Sequence, residues 1–169
     1  MTLGLVVQKF GGTSVGSAER ILHVAERVIE EKNRGNDVVV VVSAMGKTTD
    51  SLVTLANEIN QKPSKREMDV LLSTGEQITI SLLSMALQAK GVEAISYTGW
   101  QGGIETEDVH GNARILNIQT EKVQGQLQQG KVVVVAGFQG VTETGDITTL
   151  GRGGSDTTAV AIAAALKAE

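Results

Sequence analysis

At 169 residues, with 41% hydrophobic content and a net charge of −4, the chain is long enough for one domain with a real core and carries no basic footprint for nucleic acid. Its aromatic residues are two Phe, one Trp and one Tyr, too few for base stacking, and the lack of cysteine excludes disulfides, thiolate metal sites and a Cys nucleophile. Apolar runs of about five residues fall short of the ~20 that span a bilayer, and no charged-then-apolar leader opens the chain, so it reads as cytoplasmic, with neither membrane nor nucleic acid as partner.

Residues 3–10 read as a strand, and the next helix begins near Ser17, with Ile21, Val24, Ala25, Val28 and Ile29 on one apolar face and Gly35 as its stop. Residues 37–43 contain five consecutive valines, the mark of a strand covered on both faces and hence of a parallel sheet. A second helix follows with Leu52, Leu55, Ala56 and Ile59 on one face. Pro63, the only proline, separates it from a helical region running to Lys90 that breaks near Ser73-Thr74-Gly75-Glu76. Then come a strand at 92–97, a polar region at 99–117 with at most short strands, a helix at 120–129 and a strand at 131–137. Strands alternating with helices of this length predict an α/β fold, a three-layer αβα sandwich on a mainly parallel sheet. Residues 141–150, around Thr144-Gly145-Asp146, read as a β-hairpin leading into a glycine loop.

That loop, Gly151-Arg152-Gly153-Gly154-Ser155-Asp156, organises the chain. Its glycines let backbone approach a ligand, Ser155 and Asp156 are N-cap types for a helix over 157–166, and a helix N-terminus attracts anions. Arg152 adds a planar fork for a carboxylate or phosphate. In open α/β sheets ligands collect at the C-terminal strand ends, where this chain places Lys9-Phe10-Gly11-Gly12-Thr13-Ser14, Ser43-Ala44-Met45-Gly46-Lys47-Thr48-Thr49 and Gly137-Phe138-Gln139-Gly140.

Other motifs fail. Gly46-Lys47-Thr48 ends like a P-loop, but Val41 stands where the first glycine belongs, so it is a strand-helix turn. A dinucleotide fingerprint from Gly151 and Gly153 meets Asp156 where a glycine or alanine is needed. His23 and His110 have no second ligand at metal spacing and read as surface or partly buried histidines, so no metal site is expected.

Lys9-Phe10-Gly11-Gly12-Thr13-Ser14-Val15, Val42-Ser43-Ala44-Met45-Gly46, Ser73-Thr74-Gly75-Glu76 and Gly151-Arg152-Gly153-Gly154-Ser155-Asp156, in that order, resemble the aspartate kinases of the amino acid kinase family. The resemblance runs the length of the chain. It implies ATP-dependent phosphorylation of the L-aspartate β-carboxylate to 4-phospho-L-aspartate, at the head of lysine, threonine, methionine and diaminopimelate biosynthesis, with ATP and Mg2+ as cofactors and a homo- or hetero-oligomeric complete enzyme. By position, Lys9 resembles the lysine that meets the transferred phosphoryl group, with Phe10, Gly11 and Gly12 as the backbone approaching it. Ser43, Thr49, Glu76, Arg152, Gly153, Gly154 and Ser155 resemble the groups around aspartate, and Asp156 a carboxylate near the reacting centre, where its charge is expected to position Lys9. Residues 1–169 would then be the N-terminal part of such a catalytic domain, cut within its last helix, before the nucleotide-binding half and C-terminal ACT domains, and inactive alone. Related kinases acting on glutamate or acetylglutamate, and a non-catalytic substrate-binding or assembly fragment, remain as alternatives.

A β-carboxylate with an ordinary pKa of about 3.9 is already an ionised nucleophile at neutral pH and needs no general base. The reaction needs alignment and compensation of phosphoryl charge, which Lys9 and glycine amides supply. An amino-acid substrate also needs a cation for its α-carboxylate and an anion for its ammonium, which pairs Arg152 with Glu76, while Thr49 orients the side chain.

Overall fold

The computed structural model describes residues 3–169. Strands β1 (Leu5–Phe10), β2 (Asp37–Val42), β6 (Val132–Ala136) and β3 (Ala94–Tyr97) form a parallel sheet in the order β1-β2-β6-β3. The valine runs fill it because both faces are covered. Val38, Val40, Val42, Val132 and Val134 pack against Val24 and Val28 of α1 (Ala18–Asn33) and Leu83 and Leu87 of α4 (Thr74–Ala89). On the opposite face Val39, Val41, Val133 and Val135 meet Val123 and Leu127 of α5 (Glu121–Gln128) and Ile162 of α6 (Gly154–Leu166). This is the three-layer αβα arrangement expected from the sequence. Helix α1 starts where its cap dictates, since the Ser17 side chain accepts from Arg20 N, and its apolar stripe is buried.

A second, mixed sheet, β5-β4-β7-β8, is built from β4 (Ile104–Thr106), β5 (Ile115–Ile118), β7 (Gln139–Val141) and β8 (Ile147–Thr149). The antiparallel pair of β7 and β8 is the predicted hairpin, begun two residues early, and it delivers the chain into the glycine loop.

Four expectations are corrected. Helix α2 (Thr48–Ile59) forms, but it packs on α3 (Lys65–Leu72) instead of on the sheet, so its apolar face stays open: Leu55 is 51% and Ile59 83% exposed. Helix α6 begins at Gly154, with Gly153 at φ 74° as its cap, so Ser155 and Asp156 lie inside the first turn and cap nothing. Only glycine takes that left-handed cap without strain, which moves the helix start forward. At its other end α6 stops at Leu166 instead of running on, because Lys167 turns left-handed at φ 55° and Ala168 N returns to Ala163 O at 2.9 Å. Finally, α3 and α4 together give a 25-residue stretch, Lys65–Ala89, apolar and long enough by composition to cross a bilayer. Half of its apolar 18-residue window is buried, with α4 supplying Leu83 and Leu87 to the core under the sheet.

Candidate active site

The C-terminal ends of β1, β2 and β6 open into a cleft of about 300 Å³. Lys9, Gly12, Ser43, Thr49, Glu76, Arg152, Gly153, Gly154, Ser155 and Asp156 all line it. Of the predicted site residues only Phe10 and Gly11 do not, and the pleat explains the first. Lys9 pairs in register with Val41 and Phe10 with Val42, so Lys9 points to the α6 side while Phe10 points to the α1 side, where it packs against the core. The Gly11 backbone adjoins the lysine, since a Cβ there would sit 3.3 Å from Lys9 Nζ.

Lys9 Nζ lies 2.9 Å from Asp156 Oδ1. Gly12 is glycine by necessity: a Cβ would stand 2.9 Å from Ala44 O and 3.2 Å from Gly46 O, and Gly46 N donates to Gly12 O at 2.9 Å. The first βα loop and the turn after β2 are thereby locked together. Its own hydrogen bonds, Ser14 N to Gly11 O and Val15 N to Gly12 O, use the carbonyls of Gly11 and Gly12 and leave their N–H groups for a ligand. Ser43 Oγ donates to Ser155 Oγ at 2.9 Å, tying the end of β2 to the first turn of α6.

Glu76 enters from the opposite side. Gly75 lets the start of α4 close on β2, because a Cβ would sit 2.9 Å from Ala44 Cβ, and Glu76 follows it into the cleft only 2% exposed. Burial pushes its carboxyl up to about 8, against hydrogen bonds from Gln139 and from the backbone N–H groups of Glu76 and Ala44 that pull it down. Gln139, itself fully buried, donates from Nε2 to Glu76 Oε1 at 3.0 Å and to Ser73 O at 2.9 Å, while Gly99 N donates to its Oε1 at 3.0 Å. Every polar atom of that amide is used, so the Glu76 carboxyl is held in one orientation. Arg152 is exposed and, among the described residues, has no ion-pair partner. The cleft therefore offers a free guanidinium on one wall, a buried carboxyl on another, and an ammonium with glycine amides at its mouth.

Phe138, which the sequence places at a strand end beside the ligand crevice without giving it a role, sits at backbone φ 75° and lines the cleft beside Gly154. A bulky residue held left-handed is a strained position of the kind found at ligand sites, and nothing in the sequence signals it. His110 also has more company than its sequence spacing suggested. Asp69 Oδ2 lies 2.9 Å from its Nδ1, and ligand atoms of Asp108, His110 and Asp146 come within 4.8 Å of one another. Asp146 is already bound to Arg66 at 2.8 Å, which holds its carboxyl below the usual range, and His110 is committed to Asp69.

Residues 4–169 match the model of the amino acid kinase family. The chain is 78% identical over 167 residues to an aspartokinase of Bacillus sp. (strain MGA3), covering 99% of this chain and 41% of that protein. Among solved structures, aspartate kinase from Synechocystis superposes with a TM-score of 0.82 at 55% identity, over 98% of this chain and 27% of that one. E. coli aspartokinase III, solved in complex with aspartate and ADP, superposes with a TM-score of 0.85 at 26% identity, over 97% and 47% of the respective chains. The chain thus spans about 41% of the length of the curated relatives it matches.

Proposed function

Because this chain belongs to the amino acid kinase family, we propose that it forms the substrate-holding part of an aspartate kinase, which transfers the γ-phosphoryl group of ATP to the β-carboxylate of L-aspartate. A bond forms between a β-carboxylate oxygen and the γ-phosphorus, the bond to the bridging oxygen breaks, and ADP leaves with 4-phospho-L-aspartate as product. The observation that carries this reading is the placement of Arg152 and Glu76 in one cleft with the Lys9–Asp156 pair. The names of the relatives, and the aspartate and ADP bound to E. coli aspartokinase III, support the same substrates.

In this reading Arg152 forks the α-carboxylate and Glu76 takes the ammonium, while Thr49, at the start of α2, orients the side chain. Lys9, aimed by Asp156, and the amides of Gly11 and Gly12 meet the phosphoryl oxygens as charge builds on them. Ser155 and Asp156, in the first turn of α6, add N–H groups that have no intrahelical acceptor by position. Mg2+, when bound, would offset negative charge on the phosphates, with Asp156 as the residue here that could help hold it. A hard cation takes about six oxygens, and the exposed carboxylate at this cleft is Asp156, so most of its ligands would come from phosphate and water. We place the adenine and ribose contacts, together with the rest of the catalytic domain and any regulatory domains, in the part of the relatives that this chain does not match.

Calorimetric titration with L-aspartate, L-glutamate and N-acetyl-L-glutamate tests the reading, on this chain, on the complete reading frame and on Arg152→Ala in each. Aspartate-selective binding, weakened by the substitution by roughly the 1.5 to 3 kcal/mol of a charged hydrogen bond, is the expected result. Preference for either glutamate ligand, or no binding by the folded complete protein, would overturn it.

A further inference from the structure

Outside the cleft, helix α3 carries a carboxylate that the proposed chemistry does not use. Asp69 is 1% exposed, and its two oxygens meet four donors from two distant segments. Thr149 Oγ1 donates to Oδ1 at 2.7 Å, while Oδ2 accepts from Thr149 N at 3.2 Å and Gly111 N at 3.1 Å and lies 2.9 Å from His110 Nδ1. A carboxylate is costly to bury unless its lone pairs are filled in this way. The pattern around it is directional. Thr149 is the last residue of β8, and Arg152 stands three positions further on. Ala113 N closes on Thr149 O at 3.0 Å, Leu150 N on Phe138 O at 2.8 Å, and Asn112 Oδ1 fills the space where a Gly151 Cβ would sit, at 2.7 Å. The loop of His110, Gly111 and Asn112, the end of β8 and the entry to the glycine loop thus form one packed unit, with Asp69 as its anchor to α3. Arg152, beyond that unit, has no ion-pair partner of its own to fix it among the described residues.

We propose that Asp69 is a positioning residue for substrate binding: through Thr149 and the His110–Asn112 loop it sets where Arg152 stands to receive the substrate carboxylate. The proposal rests on the aspartate kinase reading for the identity of that carboxylate, but its geometry does not.

The test uses the complete polypeptide with Asp69→Asn, Thr149→Val and, as the conservative partner, Thr149→Ser. Three quantities are followed: KM for L-aspartate against KM for ATP and kcat, the melting temperature, and amide hydrogen exchange across residues 150–154. Asp69→Asn and Thr149→Val are expected to raise KM for aspartate by about tenfold, the scale of one charge-assisted hydrogen bond, with KM for ATP within about twofold of wild type. Exchange should quicken across 150–154 while α1 stays protected, and Thr149→Ser should restore both readouts. Wild-type KM for aspartate with unchanged exchange at 150–154, or a lowered melting temperature as the sole effect, would overturn the proposal and leave Asp69 a folding residue. Should Asp69→Asn fail to fold, the Thr149 pair decides by the same criteria. If the wild type neither binds nor phosphorylates aspartate, the functional reading fails, and the exchange data alone then decide the positioning claim: quickening confined to 150–154 supports it and its absence rejects it.

Discussion

The Lys9 ammonium stands 2.9 Å from Asp156 Oδ1, across the gap between the end of β1 and the first turn of α6. The two side chains are 30% and 70% exposed, so solvent screens the pair and its share of stability is about 0 to 1 kcal/mol. In the proposed function its use is to hold Lys9 over the cleft mouth. Asp156→Asn should therefore leave the melting temperature within about 2 to 4 °C of wild type, the shift that 1 kcal/mol produces in a domain of this size. It should also lower phosphoryl transfer by the complete enzyme, and Lys9→Met by about a hundredfold or more, as expected when a group that compensates developing charge is removed. Thermal melts alongside steady-state kinetics check both halves; a large loss of stability with normal turnover would reverse the assignment.

Glu76 makes the cleft sensitive to pH in two opposite ways. Its carboxyl is raised to about 8 in the folded chain from an ordinary 4.5. Between those values the folded chain keeps a proton that the unfolded chain gives up, so this group's stabilising share is complete below the lower value. It is lost as pH rises toward 8, at up to about 1.4 kcal/mol per unit. Glu76→Gln removes that slope and should melt higher than wild type at pH 8 without ligand. An ammonium bound at Glu76 needs the ionised form, so aspartate affinity should rise from pH 6 to pH 8 with proton release, and level off above. Titrations in buffers of different ionisation enthalpy count that proton; an affinity flat with pH would remove Glu76 from the ammonium site.

Glycines divide by what stands beside them. At Gly12 an alanine Cβ would press on two carbonyl oxygens of the turn after β2, at 2.9 and 3.2 Å, and backbone yields poorly. Gly12→Ala should cost about 1 to 3 kcal/mol in denaturant unfolding, as overpacking does. Gly125, inside α5, has no atom within 4 Å of a built Cβ, and Gly125→Ala should stabilise by about 0.4 to 1 kcal/mol. Equal effects at the two positions would contradict the close approach of the two loops.

What the sequence made legible follows from how local each signal is. The runs at Val38 to Val42 and Val132 to Val135 announced a doubly covered sheet, and the spacing of Ile21, Val24, Ala25 and Val28 announced the helix that covers it. Lys9, Glu76 and Arg152 could be found because each sits in a short glycine-bearing motif at a strand end or helix start. Ser155 and Asp156 were misplaced as caps because a left-handed Gly153 leaves no trace distinct from any other loop glycine. Asp69 and Gln139 were invisible as supports. Their partners lie 41 to 80 and 40 to 66 residues away respectively, and a polar residue in an amphipathic helix or at a strand end reads as solvent-facing until the fold closes over it.

Arg152→Lys separates charge from shape. The guanidinium presents two parallel N–H groups to a carboxylate, whereas an ammonium of the same charge offers one point contact on a flexible stem. With no ion-pair partner among the described residues and an exposed side chain, Arg152 contributes little to the fold, so the substitution should leave the melting temperature within about 1 to 2 °C of wild type, in line with surface changes of about ±0.5 kcal/mol. If the fork grips the α-carboxylate, Kd for aspartate should rise by about tenfold, the equivalent of about 1.4 kcal/mol, and Arg152→Ala should raise it further because the charge is lost as well. Lysine and alanine giving the same loss would mean that the planar fork is the whole interaction. Lysine behaving as wild type would mean that only the positive field at the loop matters and that the carboxylate is gripped elsewhere, by the N–H groups of Ser155 and Asp156 at the start of α6.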